Sequence, residues 1–339
     1  MEKWEELVGG ALLPAEKQAI DACRAGQQCV LGDGTRPEGP DDTREIRASV
    51  LRQLIIGGVK EDPTHEWGVR IKGAYVTGEL DLSFATAKVP TGLFNCLLNE
   101  ALVALQARLE VLALNGSSLP ALDAQGVKVA GNVFLRSGFH AKGEVRLSGA
   151  VIGGQLDCTS GRFETEEGFA LNAQATQIAA DVFLRGGFQA TGAVSLSGAV
   201  IGGQLDCVDS TFENRVEGGR ALNAQEMRCE GGLFFRGVTC TSGIINLTAS
   251  HVGTLVDDLP SWPEGGRVLL NGFTYGRIGT RAPTDSKTRR DWLSRGDRGR
   301  HEFFPQPYGQ CAKVLRAMRH ERGAKDILVA RDRKIAAEE

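Results

Sequence analysis

The chain has 339 residues and a formal net charge of −3 at pH 7, and it combines 44 glycines with only 6% aromatic residues. So small a net charge excludes a protein that is held to nucleic acid or to anionic lipid by its overall charge. The first residues, MEKWEELVGG, are too polar for a secretion signal, and no apolar run approaches the ~18 residues of a membrane span. The eight cysteines form no CxxC pair and no zinc spacing. We therefore expect a cytoplasmic protein with reduced thiols and no bound metal.

Residues 1–67 predict a helical cap. Two segments have the apolar spacing of helices, LPAEKQAIDACRAG at Leu13–Gly26 and TREIRASVLRQLIIGG at Thr43–Gly58. Thr43 is the candidate N-cap of the second helix, and Gly57 is its expected end. The segment between them, GDGTRPEGPDD, lacks the GK[ST] of a phosphate-binding loop and is interpreted as a linker.

Residues 68–278 contain an internal repeat. The twelve residues LSGAVIGGQLDC occur at Leu147–Cys158 and again, unchanged, at Leu196–Cys207. Longer segments that begin at Ala121, Ala170 and Ala221 also align, with offsets of 49 and 51 residues. Repeats of this length are typical of solenoids and propellers.

Within the long repeat, apolar-x-apolar triplets such as Val133–Leu135 and Val145–Leu147 recur every 11–13 residues. Each triplet predicts a very short strand that can pair only with its equivalent one coil later. The sequence therefore predicts a mainly β protein, a right-handed parallel β-helix with two strands in each coil of roughly 24–25 residues. Roughly eight coils would fill the segment from Gly68 to Phe273. Low aromatic content and three-residue strands argue against a propeller.

The alternation of the strands predicts which side chains form the core. Leu156, Leu205, Cys158 and Cys207 should point inward in ladders of like residues. The glycine pair Gly153–Gly154 and its repeat should lie at corners, where a side chain would clash or where a positive φ is needed.

The same alternation places three phenylalanines and three arginines outside, in the repeated motifs VFLR, VFLR and LFFR. These residues are Phe134, Arg136, Phe183, Arg185, Phe234 and Arg236. Because large exposed aromatics mark interfaces, we interpret them as a candidate interaction surface for a protein partner or for self-association. Two alternatives remain open: the protein's own helices or loops cover the rings, or the register is wrong and the rings are internal.

Residues 279–339 carry most of the positive charge. From Arg281 onward there are fifteen Lys and Arg against nine Asp and Glu, about +6, which leaves about −9 for the first 280 residues. The segment Arg281–Pro307 is interpreted as a mobile basic linker, and Tyr308–Ala337 as two amphipathic helices broken at Gly323.

We expect this αα-hairpin to be a docking element and not a nucleic-acid arm. Leu315 belongs to its apolar face, and Arg316 and Arg319 are among its charges. The charges could face the acidic β-helix, an acidic partner or, as a peripheral contact, an anionic membrane surface.

Several segments together resemble a bacterial group of pentapeptide-repeat-like β-helix proteins. They are LPAEKQAIDACRAG, REIRASVLRQLI, VRIKGAYVTGELDL, RLSGAVIGGQLDC and PQPYGQCAKVLRAMRHERGAKDILVARDRK. The resemblance implies a β-helix flanked by helical ends. Members of the group are often labelled membrane-associated oxidoreductases and often continue past the basic helix into membrane-spanning helices.

The residues themselves favour a non-enzymatic scaffold or recognition protein that binds a protein partner. No GxGxxG fingerprint stands between a strand and a helix, so we expect neither a redox cofactor nor oxidoreductase activity. The alternative is a DNA mimic that acts on a topoisomerase or another nucleic-acid enzyme, which would need a continuous acidic face. A third possibility is a carbohydrate-active enzyme using Asp157 and Asp206, although solvated outward carboxylates are the expected interpretation.

Overall fold

The computed structural model describes residues 2–60, 62–297 and 303–338. Its main body is a parallel β-solenoid of about nine turns with helices at both ends. Each helix is named here in chain order: α1 (Glu2–Val8), α2 (Pro14–Arg24), α3 (Ala48–Ile55), α4 (Ser286–Asp297), α5 (Gln306–Ala317) and α6 (Glu321–Glu338). A short 3-10 helix, Leu259–Ser261, follows the strand His251–Asp257.

Each coil has four short strands, which give the solenoid four sides. Side 1 contains Cys29–Val30, Val69–Lys72, Thr91–Phe94, Leu112–Ala113, Val133–Phe134, Leu156–Asp157, Val182–Phe183 and Leu205–Asp206. Side 2 contains Glu45–Arg47, Tyr75–Thr77, Leu97–Leu98, Ser118–Leu119, His140–Ala141, Thr211–Glu213 and Thr239–Ser242. Side 3 contains Leu80–Asp81, Leu102–Val103, Leu122–Asp123, Val145–Arg146, Arg220–Asn223, Ile244–Asn246 and Val268–Leu269. Side 4 contains Arg108–Leu109, Lys128–Val129, Val151–Ile152, Gln177–Ile178 and Val200–Ile201.

Five longer strands run through a corner and join neighbouring sides. Arg162–Asn172 and Gln189–Ser195 connect sides 2 and 3, and Arg228–Phe235, His251–Asp257 and Thr274–Ile278 connect sides 4 and 1. Gly58–Val59 and Asp62–Pro63 form an antiparallel pair beside the stack.

The predicted β-helix and its period are confirmed, but the predicted number of strands per coil is wrong. Val133 pairs with Leu156 on the next coil, and Leu156 with Val182 on the one after, so 49 residues make two coils. The apolar triplets account for sides 1 and 3. Sides 2 and 4 were missed because strands such as His140–Ala141 point a single small residue inward and give no triplet.

The core has the predicted inward register. Leu156, Leu205, Cys158 and Cys207 are completely buried. A second ladder of four stacked rings fills the same interior, with centroids 5.2–5.7 Å apart: Phe139, Phe163, Phe188 and Phe212.

Gly153 shows which of the two reasons for a corner glycine applies. Its φ is not positive, but a Cβ there would lie 2.2 Å from the carbonyl oxygen of Ala130 on the preceding coil. The close approach of the coils, and not the backbone angle, therefore requires glycine at this position.

The N-terminal cap is also part of the stack, so the boundary at residue 68 is too late. Cys29–Val30 pairs with the strand Val69–Lys72, and Glu45–Arg47 pairs with Tyr75–Thr77. The strand Glu45–Arg47 directly precedes α3, so the helix begins at Ala48 with Arg47 as its N-cap. The predicted N-cap, Thr43, lies outside the helix. The buried Glu16 carboxylate connects α2 to the strand Glu45–Arg47 through an ion pair with Arg47 at 2.7 Å.

The C-terminal part differs from the prediction in two respects. Part of the supposed linker is helical, since α4 occupies Ser286–Asp297. Residues 298–302 of that segment lie outside the described residues. The two helices of the hairpin, α5 and α6, are separated at Met318–His320. The predicted break at Gly323 is wrong, because this residue lies inside α6.

Helices α4 and α5 cover the last coil, and α6 packs on both of them. Gln306 and Gln310 of α5 form hydrogen bonds of 2.8 Å with backbone groups of Gly272 and Tyr275. The last coil therefore does not end as an open strand edge.

Candidate recognition site

The outward column of side 1 alternates aromatic and acidic residues. In successive coils it reads Phe134, Asp157, Phe183, Asp206, Phe234 and Val256. The phenylalanines point away from the core, as expected, but they lie two coils apart. The predicted row of three aromatic rings is therefore interrupted by carboxylates, because the repeat unit covers two coils.

Each of the first two rings is covered by the arginine that follows it. The guanidinium carbon of Arg136 lies 4.4 Å from the centre of the Phe134 ring, and Arg136 Nη1 donates to Asp157 Oδ2 at 2.7 Å. One repeat later, Arg185 lies 4.0 Å from the ring centre of Phe183.

The aspartates between the rings are buried and paired. Arg185 Nη1 donates to Asp206 Oδ2 at 2.7 Å, and Asp157 and Asp206 are only 4% and 6% exposed. The expectation of solvated outward carboxylates is therefore wrong, because the arginines neutralise them. With these partners, the two carboxylates are not free to serve as an acid and base pair.

Phe234 differs from Phe134 and Phe183 in that its arginine does not cover it. Its neighbour on the next coil is Val256, where the two earlier repeats have aspartate. Arg236 turns instead towards Asp258, with its Nε 3.9 Å from Asp258 Oδ2. Among the described residues no cation lies over the Phe234 ring, so one face of this aromatic remains accessible.

Phe234 lines a pocket of about 540 Å³ at the corner between sides 4 and 1. Its wall is formed by Asp181, Gly203, Gln204, Gly231, Gly232, Phe234, Thr254, Val256, Arg277, Gly279, Thr280 and Arg281. The register of the paired strands shifts between Cys229 and Gly232, at the pocket. A Cβ on Gly232 would lie 3.1 Å from the Phe234 ring, so a larger residue here would force the ring to move.

Two arginines stand at the rim of this pocket, which we call the Phe234 pocket. Arg277 and Arg281 are both exposed. Arg277 Nε donates to Thr254 Oγ1 at 3.2 Å, but neither arginine has an ion pair in the part of the chain that the structure describes. Asp181, the one carboxylate in the wall, accepts a hydrogen bond from the backbone of Gln204. The pocket therefore combines an apolar floor with an excess of positive charge.

A departure from the repeat marks this site in the sequence. The segment GGQLDC of two repeats becomes GTLVD, one residue shorter, at Gly253–Asp257 in the third, so that Val256 stands where Asp206 stood. The change removes the aspartate that holds the covering arginine and places Asp257 at the inward position that Cys207 has two coils earlier.

The predicted docking residue of the C-terminal hairpin lies elsewhere. Leu315 is completely buried, since α5 packs on the last strand, Thr274–Ile278, and on α6. Arg316 and Arg319 are exposed, and Arg316 Nε lies 3.4 Å from Glu321 Oε2. The apolar face of the hairpin is thus covered within the molecule. The prediction that Leu315 lies on a surface for a partner is wrong.

Side 2 carries a second cluster of polar residues. His140 Nε2 lies 2.7 Å from Glu164 Oε2. Ser118 precedes His140 in the same outward column, but in the described chain its hydroxyl forms no hydrogen bond with the imidazole. A histidine and a carboxylate are present, whereas the hydroxyl is not aligned as a nucleophile.

The remaining candidate chemistry is limited. Within residues 2–60, 62–297 and 303–338, no group of three or more His, Cys, Asp or Glu side chains could hold a metal ion. All eight cysteines are free, and burial raises the pKa of the Cys96 thiol to about 12. In the described residues, no helix has both the length and the apolar character needed to cross a membrane.

The fold and the site together define a β-solenoid protein with a pocket at which the ring of Phe234 is accessible. Comparisons with protein-family models, with curated proteins and with solved structures gave no match. The resemblance to pentapeptide-repeat-like β-helix proteins therefore stays a prediction.

Proposed function

We propose that this protein is a non-enzymatic recognition module that binds a protein partner through the Phe234 pocket. The bound segment offers an aromatic side chain next to an acidic one. The observation that carries the proposal is the uncovered Phe234 ring in a pocket of about 540 Å³ whose rim holds Arg277 and Arg281.

The chemistry of the pocket supports this class of ligand. An aromatic side chain can pack edge to face or offset against Phe234, and such pairs contribute about 0.5–1.5 kcal/mol beyond the area they bury. Arginine binds carboxylates through paired, charge-assisted hydrogen bonds. Two arginines stand at the rim, and neither has a carboxylate partner among the described residues. Buried aromatic and arginine contacts are the usual energetic centre of a protein interface.

The other proposed functions have less support. A DNA mimic needs a continuous acidic stripe, but in the outward column of side 1 the carboxylates of Asp157 and Asp206 are separated by Phe183. A carbohydrate-active enzyme using this aspartate pair would first have to break the ion pairs that hold both carboxylates. The eight cysteines form no disulfide with one another, which supports the cytoplasm as the compartment in which the module acts.

A short synthetic peptide tests the proposal. The probe is a fluorescein-labelled peptide with a central tryptophan between two glutamates. The controls are the same peptide with alanine for tryptophan, and with lysine for both glutamates. We expect saturable binding of the first peptide to the full chain, and binding about tenfold or more weaker for both controls.

Matched variants test whether the peptide binds at Phe234. Phe234→Ala should lose affinity about tenfold or more, whereas Phe134→Ala, which removes a ring already covered by Arg136, should not. Arg277→Glu should weaken the acidic peptide and leave the lysine peptide unaffected or improved. Equal loss in Phe234→Ala and Phe134→Ala, or no binding of the acidic peptide by the wild type, would refute the proposal.

A further inference from the structure

Side 4 has a regular pattern of large and small outward residues. The outer column of each coil reads Arg108, Lys128, Val151, Gln177, Val200, Arg228, His251 and Thr274. Two residues further along the same coils, the inner column reads Glu110, Ala130, Gly153, Ala179, Gly202, Glu230, Gly253 and Gly276. A protruding residue is thus followed by a small one in six coils, and by glutamate in the other two.

The outer column is open to solvent. Its residues from Arg108 to His251 are all exposed, and Val151 and Val200 are 38% and 44% exposed. The side chains of Arg108, Glu110, Arg228 and Glu230 form no ion pair with any residue that the structure describes. Unlike the arginines of side 1, these charges have no partner among the residues that the structure describes.

The two columns are complementary to each other under one particular symmetry. A two-fold axis that runs parallel to the solenoid axis, between two facing copies of side 4, places residue i opposite residue i+2 of the same coil. Val151 then faces Gly153 of the second copy, Gln177 faces Ala179, and Val200 faces Gly202. The same operation places Arg108 opposite Glu110 and Arg228 opposite Glu230.

We propose that side 4 is a self-association surface that binds a second copy of this chain side by side, with the two solenoid axes parallel and the coils in register. An isologous interface requires one patch to be complementary to itself, and each coil of side 4 meets this requirement in shape or in charge. The inner glycines are needed by the stack itself, as Gly153 shows, but they also create the row of shallow spaces that the outer column can enter.

The expected dimer is weak. Eight coils at about 4.8 Å make a strip roughly 34 Å long, and at a width of roughly 10 Å it would bury about 350 Å² on each copy. Stable interfaces bury about 800 Å² on each partner, so the association should depend strongly on protein concentration. This surface borders the Phe234 pocket at the corner between sides 4 and 1 but shares none of its lining residues, and its test does not depend on peptide binding.

Sedimentation equilibrium over roughly 10–500 µM protein tests for the dimer. We expect the dimer fraction of the full-length wild type to rise with concentration. Val200→Arg and Glu230→Arg should each weaken dimerisation about tenfold or more. Glu230→Arg combined with Arg228→Glu exchanges the two charges and should restore the dimer. A melting curve for each variant shows that it is folded. A wild-type monomer at every concentration, or no rescue by the exchange, would overturn the proposal.

Cysteine cross-linking tests the orientation. In the proposed dimer, position 177 of one copy faces position 179 of the other, so Gln177→Cys mixed with Ala179→Cys should give a disulfide-linked heterodimer. Each variant alone should give far less, and the wild type, whose cysteines lie largely inside the chain, serves as the background. Cross-linking of Gln177→Cys with itself at least as strong as in the mixture would indicate antiparallel axes and would refute the parallel arrangement.

Discussion

Arg136 and Arg185 each contact an aromatic ring in their own coil and a carboxylate in the next. Their guanidinium groups stand 4.4 and 4.0 Å from the ring centres and donate to aspartates at 2.7 Å. Because both contacts use one side chain, the ring is shielded and the carboxylate neutralised at once. Where the next coil has Val256, the arginine loses its carboxylate and the ring is left uncovered.

A double-mutant cycle measures this coupling. We expect Arg185→Ala and Asp206→Asn to show an interaction energy of about 1–2 kcal/mol in urea unfolding, because the hydrogen bond is charge-assisted and Asp206 is buried. The matched cycle, Arg236→Ala with Asp258→Asn, should give about 0–1 kcal/mol, because its closest atoms are 3.9 Å apart. Equal coupling in the two cycles would mean that the third arginine is not released.

The C-terminal helices are attached by a polar contact inside the last coils. Asp257 occupies an inward position, where its carboxylate accepts hydrogen bonds from Arg289 of α4 at 2.9 and 2.7 Å. The indole of Trp262 donates to the same carboxylate at 2.8 Å. Both members of the ion pair are only 1% exposed. The coil that departs from the repeat is therefore the one that holds the cap.

Removing one partner of this pair should detach the cap. We expect Arg289→Ala to lower the free energy of unfolding by about 3–5 kcal/mol, because it leaves the Asp257 carboxylate buried without its cation. Arg290→Ala, a change in the same helix at a partly exposed side chain, is the control and should cost less than about 1 kcal/mol.

Urea unfolding and limited proteolysis of α4–α6 check both variants. Replacing the pair together, Asp257→Leu with Arg289→Leu, should recover part of the loss, because no uncompensated charge then remains. Similar stability in Arg289→Ala and Arg290→Ala would contradict the anchoring role.

At the scale of the whole molecule, the internal repeat predicts the solenoid fold. The Phe234 pocket lies where the sequence departs from that repeat, at Val256. Period and inward register followed from the sequence, because apolar alternation on sides 1 and 3 is strong. The strand Glu45–Arg47 was missed because it runs without a break into α3 and shares its apolar spacing. The covering of Phe134 and Phe183 could not be predicted, since it depends on which residue the next coil places beside each ring.

The sequence also did not show that Leu315 is buried inside the molecule. An amphipathic helix shows that one face will be covered, but its sequence does not say by what. Here the last strand of the solenoid and α6 cover it. The apolar face thus indicated docking correctly, while the identity of the surface that it meets required the structure.

The central claim is that the substitution of aspartate by Val256 opens the recognition pocket, and Val256→Asp tests it most directly. The variant restores the repeat, so Arg236 should turn to the new carboxylate and cover Phe234. We expect binding of the tryptophan–glutamate peptide to fall about tenfold or more, with little change in melting temperature. Adding Arg236→Ala to the variant should recover much of the binding, which separates covering of the ring from simple charge repulsion. Wild-type affinity in Val256→Asp, or no recovery in the double variant, would contradict the account.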